Sequence, residues 1–281
     1  RRWFKEGGVL RRTFGNAGRL LGGKAVAGVL GLACVALAAR ALGPEQFGAL
    51  VLIHTYVLVV SGVAKFRSWQ AVIRYGAECT EPGRRGDFQK LIKFTTLLDL
   101  SSSVAAALAA VLLAPVVGRW IGWDSETTSL AVTYGWLIMF MVEATPTGVL
   151  RLFDRFNLLA FQSTITPFLR FLGVAGVFFS GAGLAEFLVV WFAAAAAGRL
   201  ALLVMGWAEL HRQNMIAGMG KDFTALTAPH KGLWKFVWYT NFNASLGLTL
   251  GHVTTLVVGS VLGAADAGLF KIAREFSSVL G

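Results

Sequence analysis

Long apolar runs, each about as long as a bilayer is thick, dominate this sequence. A helix needs about 20 mostly apolar residues to cross the hydrocarbon core. Hydrophobic residues make up 56% of the chain and charged residues only 15%, whereas a soluble domain carries about 25% charged residues. The alternation of barrel strands is absent. We therefore predict an all-α integral membrane protein, a polytopic helical bundle, with spans near 20–42, 49–72, 94–117, 129–152, 158–180, 183–206 and 236–260, and an eighth beginning near 267.

The placement of basic residues predicts the orientation of these spans. All but five of the 26 basic residues lie in 1–24, 65–93, 151–155 and 199–235, which share one side of the membrane; the exceptions are Arg40, Arg119, Arg170, Lys271 and Arg274. Lys and Arg collect in cytoplasmic loops. We expect a multi-pass protein of the cytoplasmic (inner) membrane with a cytoplasmic N-terminus. The same bias accounts for the formal charge of +11, so no nucleic-acid partner is expected.

The chain divides into four predicted regions. Residues 1–19 are basic with interspersed aromatic residues, a pattern typical of an amphipathic segment on anionic membrane lipids. Residues 20–208 form a first six-helix bundle, 209–235 a cytoplasmic linker between bundles, and 236–281 the start of a second bundle. Because the chain begins with Arg1 rather than Met and stops in an apolar segment, we expect it to be part of a longer protein.

A short motif occurs twice. The sequence LGPEQFG at 42–48 is matched by LGAADAG at 262–268, and each copy follows an apolar span and opens the next. An even number of predicted spans separates the copies, which favours two parallel repeats, as in transporters built from two similar halves. We therefore predict two pseudo-repeated six-helix bundles, the second truncated in this chain.

Cations inside the spans are the first group of candidate site residues. An isolated charge at mid-span costs about 2.5–3.5 kcal/mol, so Arg170 should face the bundle interior, either for function or in an ion pair with Glu143. Guanidinium groups bind phosphate oxygens through paired hydrogen bonds. The cations thus predict a phosphate-binding vestibule, with substrate-binding candidates Lys24, Arg67, Arg74, Arg170 and Arg274.

The spacing of Arg67, Gln70 and Arg74 predicts that they share one helix face in the inner half of the second span. For Arg74 taken alone, snorkelling toward the inner headgroups is the favoured interpretation, and Lys24 has the same two interpretations.

Two acids are the second group. Asp99 lies beside three serines in the third span, and Glu143 lies in the fourth, just before Thr145 and Pro146. Buried carboxylates gain proton affinity, so either is a candidate for coupling transport to protons or sodium. The alternative for both is charge balance for the cations.

No motif indicates catalysis, a metal or a cofactor. The four histidines are scattered, and neither HExxH nor GxSxG occurs. Residues 18–24 fit GxxxxGK, but Ala25 replaces the Ser or Thr that would bind magnesium, and no strand precedes the motif. We expect the protein not to be an enzyme.

The run AARALGPEQFG at 38–48 resembles the opening signature of the polysaccharide biosynthesis, or O-antigen flippase, family of the multidrug/oligosaccharidyl-lipid/polysaccharide exporter superfamily. The tracts at 68–76 and 262–273 resemble later parts of the same proteins. The resemblance implies two six-helix bundles around a central cavity. It also implies export of polyprenyl-diphosphate-linked saccharides to the outer leaflet by alternating access, for O-antigen, capsule or exopolysaccharide synthesis.

On this resemblance, polysaccharide-assembly membrane proteins are expected partners. The residues matching the signature and its second copy are assigned to hinges and turns: Arg40, Gly43, Pro44, Gly48, Gly263 and Gly268.

Three other functions remain open from the sequence. A cation-coupled small-molecule (drug) exporter of the same superfamily would depend more on Asp99 and Glu143 than on the arginines. A membrane enzyme acting on polyprenyl-linked glycans needs an outer catalytic loop, and the outer loops here are short. A non-transporting scaffold for glycan assembly would not depend on cavity arginines.

Overall fold

The computed structural model describes the backbone of residues 3–81, 83–181, 183–220 and 223–280, with side chains described except at 3–17, 19–21, 23–24, 243–251 and 278–280. Every regular element in these residues is a helix, which confirms the all-α prediction. The helices are α1 (Trp3–Ala64), α2 (Trp69–Glu78), α3 (Arg85–Ile121), α4 (Ser125–Gly135), α5 (Leu137–Phe140), α6 (Ala144–Leu152), α7 (Phe156–Ser180), α8 (Leu184–Arg212), α9 (Leu233–Leu262) and α10 (Ala264–Leu280).

Five segments of the described chain are long and apolar enough to cross a membrane: Ala25–Glu78, Arg85–Ile121, Ser125–Leu152, Phe156–Ser180 and Leu184–Arg212. The first has 54 residues, about 80 Å of helix at 1.5 Å per residue, more than twice the bilayer core. It bends at Gly43 and supplies the first two predicted spans. The seventh and eighth predicted spans lie in α9 and α10. The protein is therefore a polytopic helical membrane protein.

Glycines with positive φ make two of the turns between spans. Gly43 has φ 71° and ψ 175°, and Gly263 has φ 100° and ψ 174°. Side chains other than glycine rarely adopt this backbone. The two predicted hinge glycines thus share one conformation, while the repeat of whole bundles stays a prediction. Following the predicted orientation, we call the Gly43 end of the bundle the outer end and the end carrying residues 65–93 the inner end.

The two copies of the motif also touch each other. A Cβ atom on Gly48 would overlap the carbonyl oxygen of Ala264, and one on Gly268 would lie 2.9 Å from Phe47 Cδ1. Small residues allow two helices in a membrane to approach backbone to backbone. The bend of α1 and the start of α10 therefore pack directly together at the outer end, with Arg40 and Pro44 exposed beside them.

Two predicted spans are interrupted. The second is broken near its inner end, between Ala64 and Trp69, and the fourth near its middle, between Phe140 and Ala144. The prediction that Arg67, Gln70 and Arg74 share a helix face is therefore wrong, because Arg67 lies in the first break and precedes α2.

The predicted linker largely coincides with the turns between α8 and α9, since α8 continues to Arg212 and α9 begins at Leu233. This segment packs under the inner end of α3. Gln89 Nε2 donates to the Met215 carbonyl at 2.9 Å, and His230 Nε2 lies 3.1 Å from the Asp87 carbonyl oxygen.

At the opposite end of the bundle, Asp124 caps α4, and hydrogen bonds from Thr127 hold the pKa of the Asp124 carboxyl below its usual value.

Replacing Gly48 with Ala should lower the stability of the protein by about 1–3 kcal/mol, the usual effect of overpacking, because the added methyl group overlaps the Ala264 backbone. Thermal unfolding of the purified protein in detergent would measure it. The control is Gly176→Ala in α7, where no atom lies within 4 Å of the added Cβ. Equal melting temperatures for the two variants would contradict the close packing.

Candidate functional site

Charged side chains line a cavity of about 180 Å³ beside the two helix breaks. We call it the inner cavity; its lining residues are Ser61, Lys65, Phe66, Arg67, Trp69, Asp99, Val142, Glu143, Ala144 and Thr147. Irregular backbone at membrane depth is tolerated where it lines such a cavity or is buried in protein. Residues of both breaks line the inner cavity, so the irregular backbone of the second and fourth predicted spans meets this condition.

Asp99 joins the two breaks to α3. Its Oδ1 accepts a hydrogen bond from the Ser68 hydroxyl at 2.7 Å. Its Oδ2 accepts from the Thr145 backbone N–H at 2.7 Å and from the Thr145 hydroxyl at 2.8 Å. Ser68 immediately precedes α2 and Thr145 lies in the first turn of α6, where N–H groups have no partner within the helix. Both carboxylate oxygens of this 2% exposed residue are therefore engaged in holding the breaks in place.

Glu143 is the counter-ion of the inner cavity. One of its carboxylate oxygens accepts from the Arg199 guanidinium on α8, and the other lies 4.0 Å from Lys65 Nζ. Lys65 also donates to the Met141 carbonyl, which the second break leaves without a helical partner. Two cations therefore share one acid, and the network ties the first break, the second break and α8 together.

Arg67 lines the inner cavity but forms no ion pair with an acid in the described part of the chain. Its backbone N–H donates to Asn241 Oδ1 of α9 at 3.1 Å, which holds the first break against the beginning of the second predicted bundle. No hydrogen bond or ion pair joins the Arg67 guanidinium to another residue in the described part of the chain. This cation is therefore available to a ligand.

A second cavity of about 250 Å³ lies about midway along the helices. We call it the central cavity; it is lined by Gly31, Cys34, Val35, Phe47, Leu50, Val51, His54, Thr55, Leu58, Arg170, Trp191, His252, Thr255, Lys271, Arg274 and Glu275. These residues come from α1, α7, α8, α9 and α10. Three cations face one acid, Glu275, which accepts a hydrogen bond from Lys271 at 2.7 Å. The cavity is therefore cationic.

Arg170 occupies the wall of the central cavity between α7 and α8. Its guanidinium lies 4.9 Å from the centre of the Trp191 ring, and its buried Nε has no hydrogen-bond partner in the described residues. The predicted pairing with Glu143 is wrong, because the break in the fourth span carries Glu143 to the inner cavity and to Arg199. Arg170 is thus a half-buried cation with an unused donor.

The predicted substrate-binding residues are therefore divided between two cavities. Arg67 lies in the inner cavity, and Arg170 and Arg274 lie in the central cavity. Arg74 lines neither and stacks instead 4.7 Å from the centre of the Phe236 ring. The side chain of Lys24 lies outside the described residues.

Glu143 pairs with Arg199, which the sequence reasoning missed, and with Lys65, which it placed in the inner half of the second span but not among the binding candidates. Arg199 falls in a segment that the charge count assigns to the inner loops, although it lies within α8. Lys65 lies at the end of an apolar run, which is the same signal that identified Arg170. Within the described residues no group of three His, Cys, Asp or Glu side chains could hold a metal ion.

Two histidines line the central cavity, and both cysteines are free thiols. His54 Nδ1 lies 2.8 Å from the Tyr134 hydroxyl, and His252 lines the central cavity. Cys34 and Cys79 are buried free thiols.

Comparison with known proteins gives one informative match. The chain is 33% identical over 279 residues to the inner membrane protein YghQ of Escherichia coli (strain K12), a match covering 99% of this chain and 78% of that protein. The chain belongs to the YghQ family. The relative's inner-membrane description agrees with the multi-pass helical fold, while the orientation of the N-terminus stays a prediction. No family model matches the chain, and no solved structure matches it.

Removing the Asp99 carboxylate should destabilise the protein by about 3 kcal/mol, because Asp99→Ala leaves the Thr145 N–H and the Ser68 hydroxyl without their acceptor in a buried site. Asp99→Asn keeps one acceptor oxygen and should lose less. Chemical or thermal unfolding in detergent would rank the variants.

Ser101→Ala is the matched control on α3, because Ser101 is exposed and its hydroxyl bonds only to the Leu98 carbonyl one turn away. An Asp99→Ala protein as stable as this control would show that Asp99 does not hold the breaks.

Proposed function

We propose that this protein is a flippase that moves polyprenyl-diphosphate-linked saccharides across the cytoplasmic membrane by alternating access. The observation that carries the proposal is a pair of arginines at two depths. Arg67 lines the inner cavity and forms no ion pair with a described acid, and Arg170 in the central cavity keeps a buried Nε that has no hydrogen-bond partner in the described residues. A diphosphate moving from the inner to the outer side would meet one and then the other.

The physical problem of transport explains why such groups are useful. A diphosphate headgroup cannot enter hydrocarbon unaided, because burying its charges without partners is prohibitive. Guanidinium groups form paired hydrogen bonds with phosphate oxygens. Keeping a cation such as Arg170 inside the membrane is costly by itself, and an anionic ligand offsets that cost. The excess of cations over acids in the central cavity supports an anionic cargo.

Transport by alternating access requires contacts between the first bundle and α9 and α10 to open in turn. At the inner end, α9 packs on the first bundle through Phe66 against Trp238 and Phe94 against Trp234, with ring centres 5.0 and 5.1 Å apart. At the outer end, Gly48 packs against Ala264. In our proposal the inner contacts part to admit the headgroup and the outer contacts part to release it, as helices pivot near Gly43 and Gly263.

The hydrogen bonds and ion pairs of Asp99 and Glu143 favour this function over that of a cation-coupled drug exporter. A coupling carboxylate must be accessible to a proton or a sodium ion. Both oxygens of Asp99 accept hydrogen bonds, and Glu143 is held by Arg199 and Lys65. These contacts suit a structural role in charge balance better than a role in coupling.

The biological setting follows from the cargo. In our proposal the exported saccharides serve the synthesis of O-antigen, capsule or exopolysaccharide. The basic residues at the inner end contact anionic lipids, and polysaccharide-assembly membrane proteins receive the product on the outer side.

Replacing both Arg67 and Arg170 with Ala should abolish most transport while leaving expression intact, because neither guanidinium forms a hydrogen-bonded ion pair with an acid in the described residues, and the nearest acid to Arg170, Glu275, keeps its hydrogen bond from Lys271. The measurement is the amount of polyprenyl-diphosphate saccharide left in the cytoplasmic leaflet of cells that lack the wild-type gene. Accumulation should be reversed by the wild-type gene and not by the double mutant.

Arg74→Ala is the control, because Arg74 stacks on Phe236 and lines neither cavity; it should transport normally. Arg170→Lys keeps the charge without the planar guanidinium and should transport partially. Normal transport by the double mutant would refute the assignment of the arginines. Absence of accumulation in the deletion strain, with increased sensitivity to organic cations, would favour the drug-exporter function instead.

A further inference from the structure

An apolar groove of about 300 Å³ lies between α4 and α8 in the outer half of the bundle. We call it the outer groove; it is lined by Leu130, Thr133, Tyr134, Ala185, Leu188, Val189, Phe192 and Ala193. Val189 is 66% exposed, so the groove opens on the outside of the helical bundle, the side that faces lipid. Its walls offer almost no polar atoms to a ligand.

The outer groove and the central cavity share a wall. Tyr134 lines the groove and is only 3% exposed, and its hydroxyl lies 2.8 Å from Nδ1 of His54, which lines the central cavity. On α8, Phe192 faces the groove, whereas its neighbour Trp191 lies under Arg170 in the cavity. An apolar site and a cationic site therefore lie on the two sides of one layer of side chains.

Both sites lie at similar depths. Tyr134 is ten residues along the chain from the Asp124 cap, about 15 Å into the membrane at 1.5 Å per residue. His54 is eleven residues from the Gly43 turn, a similar depth from the outer end. A ligand whose charged end occupies the central cavity therefore has an apolar surface beside it, rather than above or below it.

We propose that the outer groove binds the isoprenoid tail of the carried lipid while the central cavity binds its diphosphate, with the Tyr134–His54 pair as the divide between them. This inference rests on the proposed function and adds a second binding site to it. An amphiphile with a diphosphate joined to a hydrocarbon chain matches a cationic cavity next to an apolar groove. The Tyr134–His54 contact is one hydrogen bond, and it must yield when the tail passes between the two sites.

The groove also accounts for selection among lipids. A tail that leaves the bilayer for the groove stays in apolar surroundings, so the gain in binding comes from close van der Waals packing against the groove walls rather than from leaving water. Ordinary phospholipids have apolar chains too, but only a lipid with a diphosphate also occupies the central cavity. The pair of sites therefore favours a long-tailed diphosphate lipid over both a phospholipid and a soluble diphosphate sugar.

Filling the groove tests the proposal. Ala193 is exposed at the groove, so Ala193→Trp occupies it from the lipid side without disturbing the core. The intact protein in vesicles would be given a saccharide diphosphate with a full polyprenyl tail or with a tail of two isoprene units. Ala193→Trp should reduce transport of the long-tailed lipid about tenfold, equivalent to about 1.4 kcal/mol of lost packing against the tail, and leave the short-tailed lipid unchanged.

Val204→Trp is the matched control, because Val204 is 66% exposed on the same helix and does not line the groove; it should transport both lipids normally. Wild-type transport of the long-tailed lipid by Ala193→Trp would overturn the groove assignment. Equal loss of both lipids would also overturn it, since that result indicates general damage. Failure of the wild-type protein to move either lipid would refute the proposed function itself, and the tail site with it.

Direct labelling gives a second readout. A polyprenyl diphosphate with a photoreactive group in its tail should label the peptides of α4 and α8 that line the groove. Unlabelled polyprenyl diphosphate should compete, and phosphatidylglycerol in excess should not. Labelling that phosphatidylglycerol removes equally well would show that the groove holds ordinary membrane lipid, against the proposal.

Discussion

Backbone N–H and C=O groups cannot remain unpaired in hydrocarbon, and the whole inner half of this protein depends on how that constraint is met where two spans are broken. One carboxylate, Asp99, accepts hydrogen bonds from both broken segments. Lys65 completes the arrangement by donating to the freed Met141 carbonyl. Because the breaks are stabilised in this way, they remain open enough to line a cavity that continuous helices would have filled.

The charges of the interior then fall into two classes. Four charged side chains pair with one another or with freed backbone groups and so hold helices together: Asp99, Glu143, Lys65 and Arg199. Arg67 and Arg170 present guanidinium donors that these contacts leave unused. A membrane interior tolerates poorly neutralised cations badly, and in our proposal an anionic lipid headgroup supplies the missing negative charge at both positions.

The sequence predicted the helices better than the site. The apolar runs located every long helix, since burial in lipid depends on the composition of each segment and little on its neighbours. The glycines at 43 and 263 were identified as turns from their motif, and both have positive φ. The breaks at 65–68 and 141–143 were not predicted, because each lies inside a run whose average stays apolar, although 65–68 are largely polar and Pro146 removes a backbone donor just after the second break. Missing the first break made Arg67, Gln70 and Arg74 look like one helix face.

The sequence by itself therefore determined an all-α polytopic membrane protein, the approximate bounds of its spans, and the presence of charges that must face inward. Only the tertiary structure decided which charges meet. It paired Glu143 with Arg199 rather than with Arg170, placed Arg74 on Phe236 outside both cavities, and set His54 beside Tyr134. The physical reason is that hydropathy is a property of each segment, whereas a contact between spans depends on the rotation, depth and breaks of two helices at once.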